Sequence, residues 1–472
     1  MNKTKIICSI GPASKDPEVF KELIKNGLSV ARLNLSHEDN AFRQTLFDMI
    51  KAVREEMNEP IAILADTRGP ELRTREFIDG SVTLVTGAEV RICAGDFDGT
   101  AEKFCTTYPN LYKEVKPGTV ILLDDGLLDL VVKDIDKKEV VCEVLNGGLL
   151  KNRKGINIPG VTVDLPILTK EDERDIIYSI NEGIDYLAAS FIRNKADVLD
   201  VRNFLDANGG EHVHIISKIE SQTGVDNLDE IIEVSNGIMV ARGDLGVELP
   251  ARDIPRIQKE MIKTCNAAGI PVIVATQMLE SMIKNPRPTR AEVSDIANAI
   301  YDGADTIMLS AESAAGKFPI EAVKTMKEVA IATEAVAKFE SAYKNRTAKE
   351  EHNTTNAVCY ATVSTAKHID AATIICPTFS GKTARLISMF RPMTPIVAPT
   401  VNPVTERQLN MLWGVKPVIL ENEDNTEILF YKAIEKVKEI GYANIGESIV
   451  ITAGIPLNKV GATNHMTVRV VK

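Results

Sequence analysis

Short apolar runs of strand character alternate with amphipathic helical stretches along most of the chain, and this rhythm limits the possible folds more than any other feature. Three such runs precede a change of pattern near residue 70, and five follow it. The runs are K-T-K-I-I-C-S-I (3–10), S-V-A-R-L-N-L (29–35), I-A-I-L-A-D-T (61–67), Y-L-A-A-S-F-I (186–192), H-I-I-S-K-I (214–219), G-I-M-V-A-R (237–242), P-V-I-V-A-T (271–276) and T-I-M-L-S (306–310). Eight strand–helix units in one rhythm predict an α/β fold, the (β/α)8 TIM barrel.

An open, doubly wound parallel sheet is the alternative architecture for the same rhythm. The first run is followed by I-G-P-A-S-K, which lacks the G-x-G-x-x-G spacing of a dinucleotide-binding turn. The missing glycine spacing favours the closed barrel over the open sheet.

The rhythm is interrupted after its third strand. From residue 70 to residue 164 the chain carries short alternating runs between the turn signals G-D-F-D-G, K-P-G and N-G-G, a pattern typical of an all-β domain. After a polar stretch near 341–353, the sequence predicts a separate α/β domain, whose five strands are the runs A-T-I-I-C-P, T-P-I-V-A-P, K-P-V-I-L, S-I-V-I-T-A and M-T-V-R-V-V. We expect a barrel of residues 1–69 and 165–345, an all-β lid domain of residues 70–164, and a C-terminal α/β domain of residues 346–472.

Composition narrows the choice of partners. The net charge of −11 argues against a nucleic acid or an anionic membrane surface, so an anionic substrate needs local cations or a metal ion. No window approaches 18 consecutive apolar residues, and we expect no membrane span. The seven cysteines include no C-x-x-C pair. That pattern argues against disulfides and against a zinc site. It predicts a cytoplasmic protein.

Polar and charged side chains stand where the predicted strands end. Active sites of TIM barrels lie at the C-terminal ends of the strands, so these side chains are candidates for one site. Strand alternation places Lys218 and Glu220 on the same side of the fifth strand. The other candidates are Arg32, Asn34, Ser36, Asp66, Thr67, Arg242, Asp244, Thr276, Ser310 and Glu312. Six of the eight strands end in this way, which favours a shared site over separate ion pairs on the rim.

The residue types at these strand ends indicate a metal-assisted reaction of an anion. Glu220 and Asp244 follow neighbouring strands, and alternation predicts that Arg242 shares a face with Asp244. Carboxylate oxygens suit Mg²⁺, which keeps several water ligands. Lysine and arginine side chains around such an ion suit a phosphorylated or carboxylated substrate.

Five longer segments carry a family resemblance. They are I-S-K-I-E, M-V-A-R-G-D-L-G, D-G-A-D-T-I-M-L-S-A-E-S, A-D-T-R-G-P-E-L-R-T and the 18-residue run A-T-Q-M-L-E-S-M-I-K-N-P-R-P-T-R-A-E, which begins at Ala275. Their order and spacing resemble those of the pyruvate kinase family, and the resemblance extends over essentially the whole chain.

The resemblance implies transfer of a phosphoryl group from phosphoenolpyruvate to ADP, which gives pyruvate and ATP in the last step of glycolysis. It implies that Lys218 stabilises the phosphoryl group in transit, while Arg32 and Arg73 steady the phosphate. It also implies that Glu220 and Asp244 hold Mg²⁺, or Mn²⁺ in its place.

Further roles follow from the same resemblance. The substrate carboxylate is expected at the backbone N–H groups of Gly243 and Asp244, with help from Thr276. No histidine stands at the relevant strand ends, so the proton donor to the enolate is expected to be water or a hydroxyl relay through Thr276 and Ser310. The expected nucleotide contacts are Arg32, His37, Arg73 and Lys154, the last carried by the closing lid.

A monovalent cation is the second ion that the resemblance implies. Family members with glutamate at the position of Glu71 need K⁺, whereas a lysine at that position supplies its own positive charge. We therefore predict K⁺ dependence. The K⁺ ligands implied by the resemblance are Asn34, Ser36, Asp66 and Thr67.

The segment T-F-S-G-K-T-A-R (378–385) ends like a Walker motif, but Cys376 stands where that motif requires glycine. The resemblance implies instead that this loop binds the phosphate of a sugar-phosphate or nucleotide effector, and a solvated helix cap is the alternative. The nominated residues are Thr378, Ser380, Gly381, Lys382 and Thr383. A homotetramer is also implied, and Trp413 is expected to be a partly buried packing residue.

Two other functions compete with the kinase. A lyase or aldolase on a related barrel would use Lys218 as a Schiff-base amine, but the adjacent Glu220 would stabilise the protonated amine, which is wrong for that task. A non-catalytic metabolite sensor would act through the C-terminal loop. The intact charged residues at the strand ends argue against the sensor.

Overall fold

The computed structural model describes residues 2–36, 40–161, 163–337, 339, 353–456 and 463–472. The expected boundary between residues 345 and 346 lies outside the described residues, and so does His37.

The first part of the chain alternates strands with helices. Asp16 caps the first helix by accepting hydrogen bonds from the N–H groups of Glu18 and Val19, and Gly27 follows the helix with a positive φ of 112°. The elements are β1 (Lys5–Ser9), α1 (Pro17–Lys25), β2 (Leu28–Asn34), α2 (Asn40–Met57) and β3 (Ala62–Asp66).

The insert after β3 is built mainly from β-strands. They form a sheet of order β11-β7-β8-β9-β5-β6 and a two-stranded sheet of β10 and β4, and one cluster of apolar side chains fills the space between them. The elements are β4 (Ser81–Leu84), β5 (Glu89–Cys93), β6 (Lys103–Cys105), α3 (Leu111–Glu114), β7 (Val120–Leu123), β8 (Leu128–Asp136), β9 (Glu139–Asn146), β10 (Gly148–Lys151) and β11 (Ile156–Asn157).

The strand–helix rhythm then resumes. Capping boxes at Thr169 and Thr289 begin two of the helices, and Gly269 and Gly303 end two of them in the left-handed conformation. The elements are α4 (Lys170–Asn181), β12 (Tyr186–Ala189), α5 (Lys195–Ala207), β13 (His214–Ile219), α6 (Gln222–Asp226), α7 (Leu228–Val234), β14 (Gly237–Ala241), α8 (Arg242–Glu248), α9 (Ile254–Ala268), β15 (Val272–Ala275), a 3₁₀ turn (Glu280–Ile283), α10 (Arg290–Asp302), β16 (Thr306–Leu309), α11 (Ala311–Ala314) and α12 (Pro319–Glu334).

Eight parallel strands close into a barrel of order β1-β16-β15-β14-β13-β12-β3-β2. The predicted TIM barrel is therefore confirmed, and the open sheet is excluded. Side chains from alternate positions fill the barrel interior, among them Ile7, Leu64, Ile216 and Ile273, while a larger apolar cluster lies between the strands and the surrounding helices. Because all eight strands run in the same direction, their C-terminal ends meet at one end of the barrel.

The C-terminal region is an α/β domain with a five-stranded sheet of order β19-β18-β17-β20-β21, in which β21 is antiparallel to β20. All five strands expected from the sequence are present. The elements are α13 (Thr354–His368), β17 (Thr373–Ile375), α14 (Lys382–Met389), β18 (Ile396–Thr400), α15 (Pro403–Leu409), β19 (Val415–Ile419), α16 (Thr426–Glu439), β20 (Ser448–Ala453) and β21 (His465–Val470).

Ion pairs and buried side chains join this domain to the N-terminal end of the barrel. The Arg391 guanidinium contacts Asp305 at 2.7 Å, and both side chains are less than a tenth exposed. Arg407 contacts the buried Asp185 at the same distance. Trp413 is 1% exposed, with the charged groups of Lys3 and Arg391 close to its ring. Its expected partial burial is thus wrong, because this interface encloses the ring completely.

Among the described helices, none has the length and apolar composition needed to cross a membrane.

Replacing Arg391 by methionine is predicted to destabilise the protein by about 3–5 kcal/mol, because Asp305 would remain buried without its partner. Arg391 also donates hydrogen bonds to Asn266 Oδ1 and Gly303 O, each at 2.8 Å, and these would be lost as well. Urea unfolding followed by circular dichroism measures the change. The matched control is Arg256→Met on the exposed pair with Glu260, which should cost less than about 1 kcal/mol. Equal shifts for the two variants would contradict the prediction.

A second prediction concerns the pH dependence of stability. Burial lowers the pKa of His214 to about 4 from its ordinary 6.5, and the charges of Arg385 and Arg202 act in the same direction. Between these two values the unfolded chain binds a proton that the folded protein does not, so the free energy of unfolding falls as the pH falls from about 6.5 to about 4. Thermal unfolding of His214→Gln should show a shallower loss over this window. Above pH 7 the variant and its parent should share one slope, and equal slopes below pH 6 would refute the assignment.

Candidate active site

A cluster of buried charges lies at the C-terminal ends of the barrel strands. Lys218 Nζ lies 2.9 Å from Glu220 Oε1 and 3.1 Å from Asp66 Oδ1. Arg32 Nε donates to Asp66 Oδ2 at 2.7 Å, and Arg32 Nη1 donates to Ser9 Oγ at 2.6 Å. Lys218 and Glu220 face the same side, as strand alternation requires. The structure therefore brings three of the predicted strand ends together around one ammonium group.

The fourth strand contributes two contacts that the sequence did not indicate. Lys218 Nζ donates to Ser190 Oγ at 2.6 Å, and the N–H of Phe191 donates to Glu220 Oε2 at 2.6 Å. Phe191 has a positive φ of 58°, which is a strained conformation for an aromatic residue. β12 lies between β3 and β13 in the barrel, so its end is placed to support both Asp66 and Lys218.

The charged groups of the cluster shift one another's pKa values, and the shifts favour the protonated form of Lys218. Burial alone would lower the pKa of Lys218, but the carboxylates of Asp66, Glu220 and Asp244 raise it above its ordinary value. Burial raises the pKa of Asp66, and Lys218 and Arg32 outweigh that effect, so its pKa is lowered. Lys218 is thus a permanent ammonium, and Asp66 is a carboxylate. The group can stabilise an anion, whereas it is a poor nucleophilic amine.

The loop after β15 is strained where it meets this cluster. Thr276 and Gln277 have φ values of 66° and 54°, and a β-branched residue rarely adopts such a conformation. Thr276 Oγ1 accepts a hydrogen bond from the N–H of Gly243 at 2.8 Å. The Arg242 guanidinium donates to the carbonyl groups of Thr276 and Ala275, which holds the strained loop in place.

The expected alignment of Arg242 with Asp244 is wrong. It rested on strand alternation, but β14 ends at Ala241, and both residues lie in the first turn of α8. The buried Arg242 contacts Asp295 at 2.6 Å, whereas Asp244 lines the cleft between the barrel and the insert. In this structure, Arg242 supports the loop at Thr276.

Oxygen atoms suited to a monovalent cation lie beside Asp66. Its Oδ1 atom is buried, and no donor among the described residues is aligned with it for a hydrogen bond, although Lys218 lies 3.1 Å away. Asn34 Oδ1 accepts from the N–H of Ser36 at 3.0 Å, and Thr67 Oγ1 accepts from the N–H of Ser190 at the same distance. A buried carboxylate with neighbouring amide and hydroxyl oxygens is compatible with K⁺.

The protein supplies few ligands for a divalent ion at this site. Glu220 is buried, and the negative charge of Asp244 acts with burial to raise its pKa. Burial, more than any other effect, raises the pKa of Glu220 above its usual range. In the described part of the chain, no group of three or more His, Cys, Asp or Glu side chains is arranged to hold a metal. Two carboxylates fit Mg²⁺, which takes its remaining ligands from water and substrate.

A cleft of about 240 Å³ separates the barrel from the insert. Arg73, Lys154 and Asp244 line it, as does Asp124, which contacts Lys154 Nζ at 2.8 Å. Arg73 Nε donates to Glu71 Oε2 at 2.7 Å. The structure thus places Arg73 and Lys154 in one cleft and gives each a carboxylate partner from the chain.

Ser310 lies in a second hollow, which Arg32, Asn34 and Phe42 also line. The buried Glu312 accepts hydrogen bonds from the N–H groups of Ser310 and Leu279, at 2.8 and 3.1 Å. This carboxylate therefore ties the ends of β15 and β16 together. His37, expected on the nucleotide side, is not among the described residues.

The C-terminal loop 378–383 opens α14 as the sequence indicated. Ser380 and Lys382 are exposed, and Gly381 precedes the helix with a φ of 78°, a conformation that favours glycine. Thr383 is buried, and its hydroxyl contacts the hydroxyl of Thr463 at 2.9 Å. Ser380 and Lys382 are thus accessible from solvent, while Thr383 is engaged in packing the domain.

Comparisons with known proteins agree with this geometry. Residues 1–323 match the family model "Pyruvate kinase, barrel domain", and residues 356–469 match "Pyruvate kinase, alpha/beta domain". The chain belongs to the pyruvate kinase family. It is 48% identical to the pyruvate kinase of Staphylococcus saprophyticus and 47% identical to that of Staphylococcus aureus, over 100% of this chain and 81% of each relative. These relatives are phosphotransferases, the enzyme class to which the chain is assigned.

A solved structure shares the fold over the full chain. The pyruvate kinase of Cryptosporidium parvum superposes with a TM-score of 0.96 at 37% sequence identity, covering 100% of this chain and 96% of that one. The barrel, the β insert and the C-terminal domain therefore have the arrangement of a pyruvate kinase.

The sequence analysis did not identify two serines of the site, one on the first barrel strand and one directly after the fourth. Ser9 and Ser190 are each the hydroxyl partner of one cation in the cluster. The signal was present, since β1 ends at Ser9 and Ser190 directly follows β12, but a serine at a strand end is weaker as a signal than a charge.

Replacing Ser190 by alanine is predicted to lower kcat roughly tenfold, because the Lys218 ammonium would lose the hydroxyl that orients it. Steady-state kinetics with phosphoenolpyruvate and ADP measure the change. The matched control is Ser217→Ala, which removes a buried hydroxyl from the residue next to Lys218, where it contacts Ser235 on the other face of the strand. Both variants should lose about 1 kcal/mol of stability, but only Ser190→Ala should lose turnover. A similar kcat for the two variants would rule out the orienting role.

Proposed function

We propose that this member of the pyruvate kinase family transfers the phosphoryl group of phosphoenolpyruvate to ADP in a Mg²⁺- and K⁺-dependent reaction, the last step of glycolysis. The observation that carries the proposal is the Lys218 ammonium, which is 12% exposed and is held by Asp66, Glu220 and Ser190 at the C-terminal end of the barrel. A fixed cation beside Arg32 suits a phosphoryl group whose charge spreads over its outer oxygens during transfer.

The chain's own residues orient the substrate in this proposal. Lys218 and Arg32 contact the phosphoryl oxygens, and Arg73 steadies the phosphate from the cleft. The backbone N–H groups at the start of α8, at Gly243 and Asp244, receive the substrate carboxylate, and the Gly243 N–H exchanges its hydrogen bond to Thr276 Oγ1 for it. The strain at Thr276 supports this assignment, because a strained residue held by neighbouring contacts is typical of functional loops.

Glu220 and Asp244 hold Mg²⁺, with Mn²⁺ as an alternative. When bound, the ion neutralises charge on the phosphate and carboxylate oxygens. Glu220 is already oriented by the N–H of Phe191 and by Lys218, so binding of the ion requires little rearrangement of this carboxylate.

Asn34, Ser36, Asp66 and Thr67 hold K⁺. The buried carboxylate of Asp66 supports this assignment, because its Oδ1 atom has only the 3.1 Å ion pair with Lys218 among the described residues. Glu71 supports it too, because the chain carries an anion at the position where K⁺-independent relatives carry a lysine.

The enolate that remains after transfer is protonated by water or by the hydroxyl groups of Thr276 and Ser310. Lys218 does not serve as the donor, because the surrounding carboxylates raise its pKa above the ordinary value. Thr276 Oγ1 donates to its neighbouring carbonyl at 2.7 Å while accepting from Gly243, so its hydroxyl proton is directed by these two contacts.

The insert acts as a lid that brings Lys154 to the nucleotide. Arg32, Arg73 and His37 also contact the nucleotide. Lys154 releases Asp124 when it takes up the nucleotide phosphate. The loop of residues 378–383 binds a phosphorylated effector, and the enzyme assembles as a homotetramer.

The two competing functions have less support. A Schiff-base mechanism requires a neutral amine, whereas Lys218 is surrounded by carboxylates that keep it charged. A pure sensor would have no use for the ordered contacts of Lys218 and Arg32. Borohydride trapping with a keto acid distinguishes the first of these from the kinase, and turnover eliminates the second.

The first test couples the purified protein to lactate dehydrogenase with phosphoenolpyruvate, ADP and Mg²⁺, and compares K⁺ with tetramethylammonium. Turnover should rise roughly a hundredfold with K⁺, the scale expected for one preorganised charge. Glu71→Lys should turn over equally in both salts, because the lysine supplies the missing charge. Glu71→Gln is the matched control: it removes the anion without adding a cation, and it should still need K⁺.

Equal turnover of the parent protein in the two salts would leave the kinase in place but remove the K⁺ assignment. No turnover in either salt, even with sugar phosphates added, would favour the sensor.

A further inference from the structure

Two cysteines of the insert are direct neighbours across a pair of strands. β5 and β6 are parallel, and their register pairs Arg91 with Lys103 and Cys93 with Cys105. Adjacent strands lie about 4.8 Å apart, and disulfides join residues whose Cα atoms are about 4.4–6.8 Å apart. The side chains of paired residues project to the same face of a sheet. The register therefore places the two thiols side by side, so a disulfide requires only a small movement of one strand toward the other.

These thiols lie on the outer face of the sheet. The intervening pair, Ile92 and Phe104, belongs to the apolar core of the insert, whereas Cys93 and Cys105 are not members of that cluster. They share their face with the cationic pair that precedes them in the two strands. Cys142 offers a contrast, because it belongs to that apolar core. The paired thiols thus lie on the face of the sheet that points away from the apolar core of the insert.

A short loop lies against the pair. Residues 94–98 are exposed, and a Cβ atom added at Gly95 would lie 3.1 Å from the sulfur of Cys105, so the loop backbone rests against that thiol. The loop is tethered by an exposed ion pair between Arg75 and Asp96 at 2.8 Å. Cys93 retains 5% exposure and Cys105 retains none. Local opening of this loop is sufficient to admit a small oxidant.

We propose that Cys93 and Cys105 form a reversible disulfide, a redox modification site in the lid that changes the position of Arg73. With hydrogen peroxide as the oxidant, the Cys93 thiolate attacks one peroxide oxygen and becomes a sulfenic acid, releasing water once a proton is taken up. The Cys105 thiol then attacks the sulfenic sulfur, and a second water leaves as the disulfide forms. Two thiols and one peroxide give one disulfide and two waters. A dithiol reductant reverses the bond by exchange.

The reaction is slow in the resting protein. Burial raises the pKa of the Cys93 thiol to about 11, the neighbouring Cys105 adds to this shift, and the Lys103 ammonium opposes it. The thiolate fraction is small near neutral pH, so the site responds to sustained rather than brief oxidation. Disulfides of this kind in reducing compartments are transient and regulatory.

Hydrogen bonds connect the thiol pair to the cleft. The carbonyl of Cys105 accepts from the N–H of Arg75 at 3.0 Å. Two residues further on, the N–H of Thr107 donates to the carbonyl of Arg73 at 2.9 Å, and the N–H of Arg73 donates to Thr107 Oγ1 at 3.0 Å. Drawing Cys105 toward Cys93 therefore pulls on the segment that carries Arg73. The consequence for turnover rests on the proposed function, whereas disulfide formation does not.

The test treats the full-length protein with hydrogen peroxide and measures both peptide masses and kinetics. Proteolytic peptides containing residues 93 and 105 should become linked with the loss of two hydrogens, and dithiothreitol should separate them. Cys142 in the same sample should remain a free thiol, which serves as the internal control. The oxidised enzyme should show a kcat/KM for ADP that is lower by roughly threefold or more, restored by the reductant.

Cys93→Ser is the matched variant, since it removes one sulfur from the pair and leaves the core of the insert intact. Before oxidation it should have the parent's kinetics, and peroxide should leave its kcat/KM for ADP unchanged. Absence of the linked peptide, or an equal loss of activity in Cys93→Ser, would overturn the proposal. So would a linked peptide without a kinetic change. A protein that forms the link but has no turnover before treatment would instead refute the proposed function.

Discussion

The contact of Lys218 with Asp66 and Glu220 is the interaction on which the rest of the site depends. Removing an ammonium and two carboxylates from water is costly, and the cost is offset only when geometry and hydrogen bonding are good. The barrel provides that geometry because the three residues stand at the ends of β3 and β13, on either side of β12. Ser190 and Phe191 at the end of β12 donate or accept the remaining hydrogen bonds. Closure of the sheet and assembly of the charge cluster are therefore one structural event.

Contacts around the charge cluster hold two residues in strained backbone conformations. Phe191 and Thr276 both adopt positive φ values, and each is held by a buried charged residue: Glu220 accepts from the N–H of Phe191, and Arg242 donates to the carbonyl of Thr276. Strained residues of this kind persist only where neighbouring contacts fix them. Glu220 and Arg242 both look like catalytic candidates in the sequence, but they have different roles in the structure. Glu220 contacts Lys218, whereas Arg242 contacts Asp295.

The fold could be predicted from the sequence more completely than the site could. Strand periodicity and turn signals are local, and they were sufficient for the eight-stranded barrel, the β insert and the five-stranded C-terminal sheet. Lys218 and Glu220 could be paired because alternation holds to the end of β13. The same rule was wrong for Arg242, because β14 ends one residue earlier and a helix begins there. Ser190 and the burial of Trp413 depend on which elements become neighbours, which single-sequence patterns do not encode.

The charge balance of the cleft gives a physical reason for recruiting ions. Arg32 and Lys218 share Asp66, Arg73 contacts Glu71, and Lys154 contacts Asp124, so these cations are each matched by a carboxylate of the chain. A substrate that carries several negative charges cannot be neutralised by cations that are already paired, unless the pairs separate. Asp66 is buried and the side chains of Lys218 and Arg32 are each 12% exposed, so these pairs do not separate at low cost. Lys154 and Arg73 are 36% and 41% exposed and lie in the insert or at its boundary. In the proposed reaction, movement of the lid would therefore exchange the outer pairs for substrate, while the inner cluster would stay fixed and metal ions would supply the remaining charge.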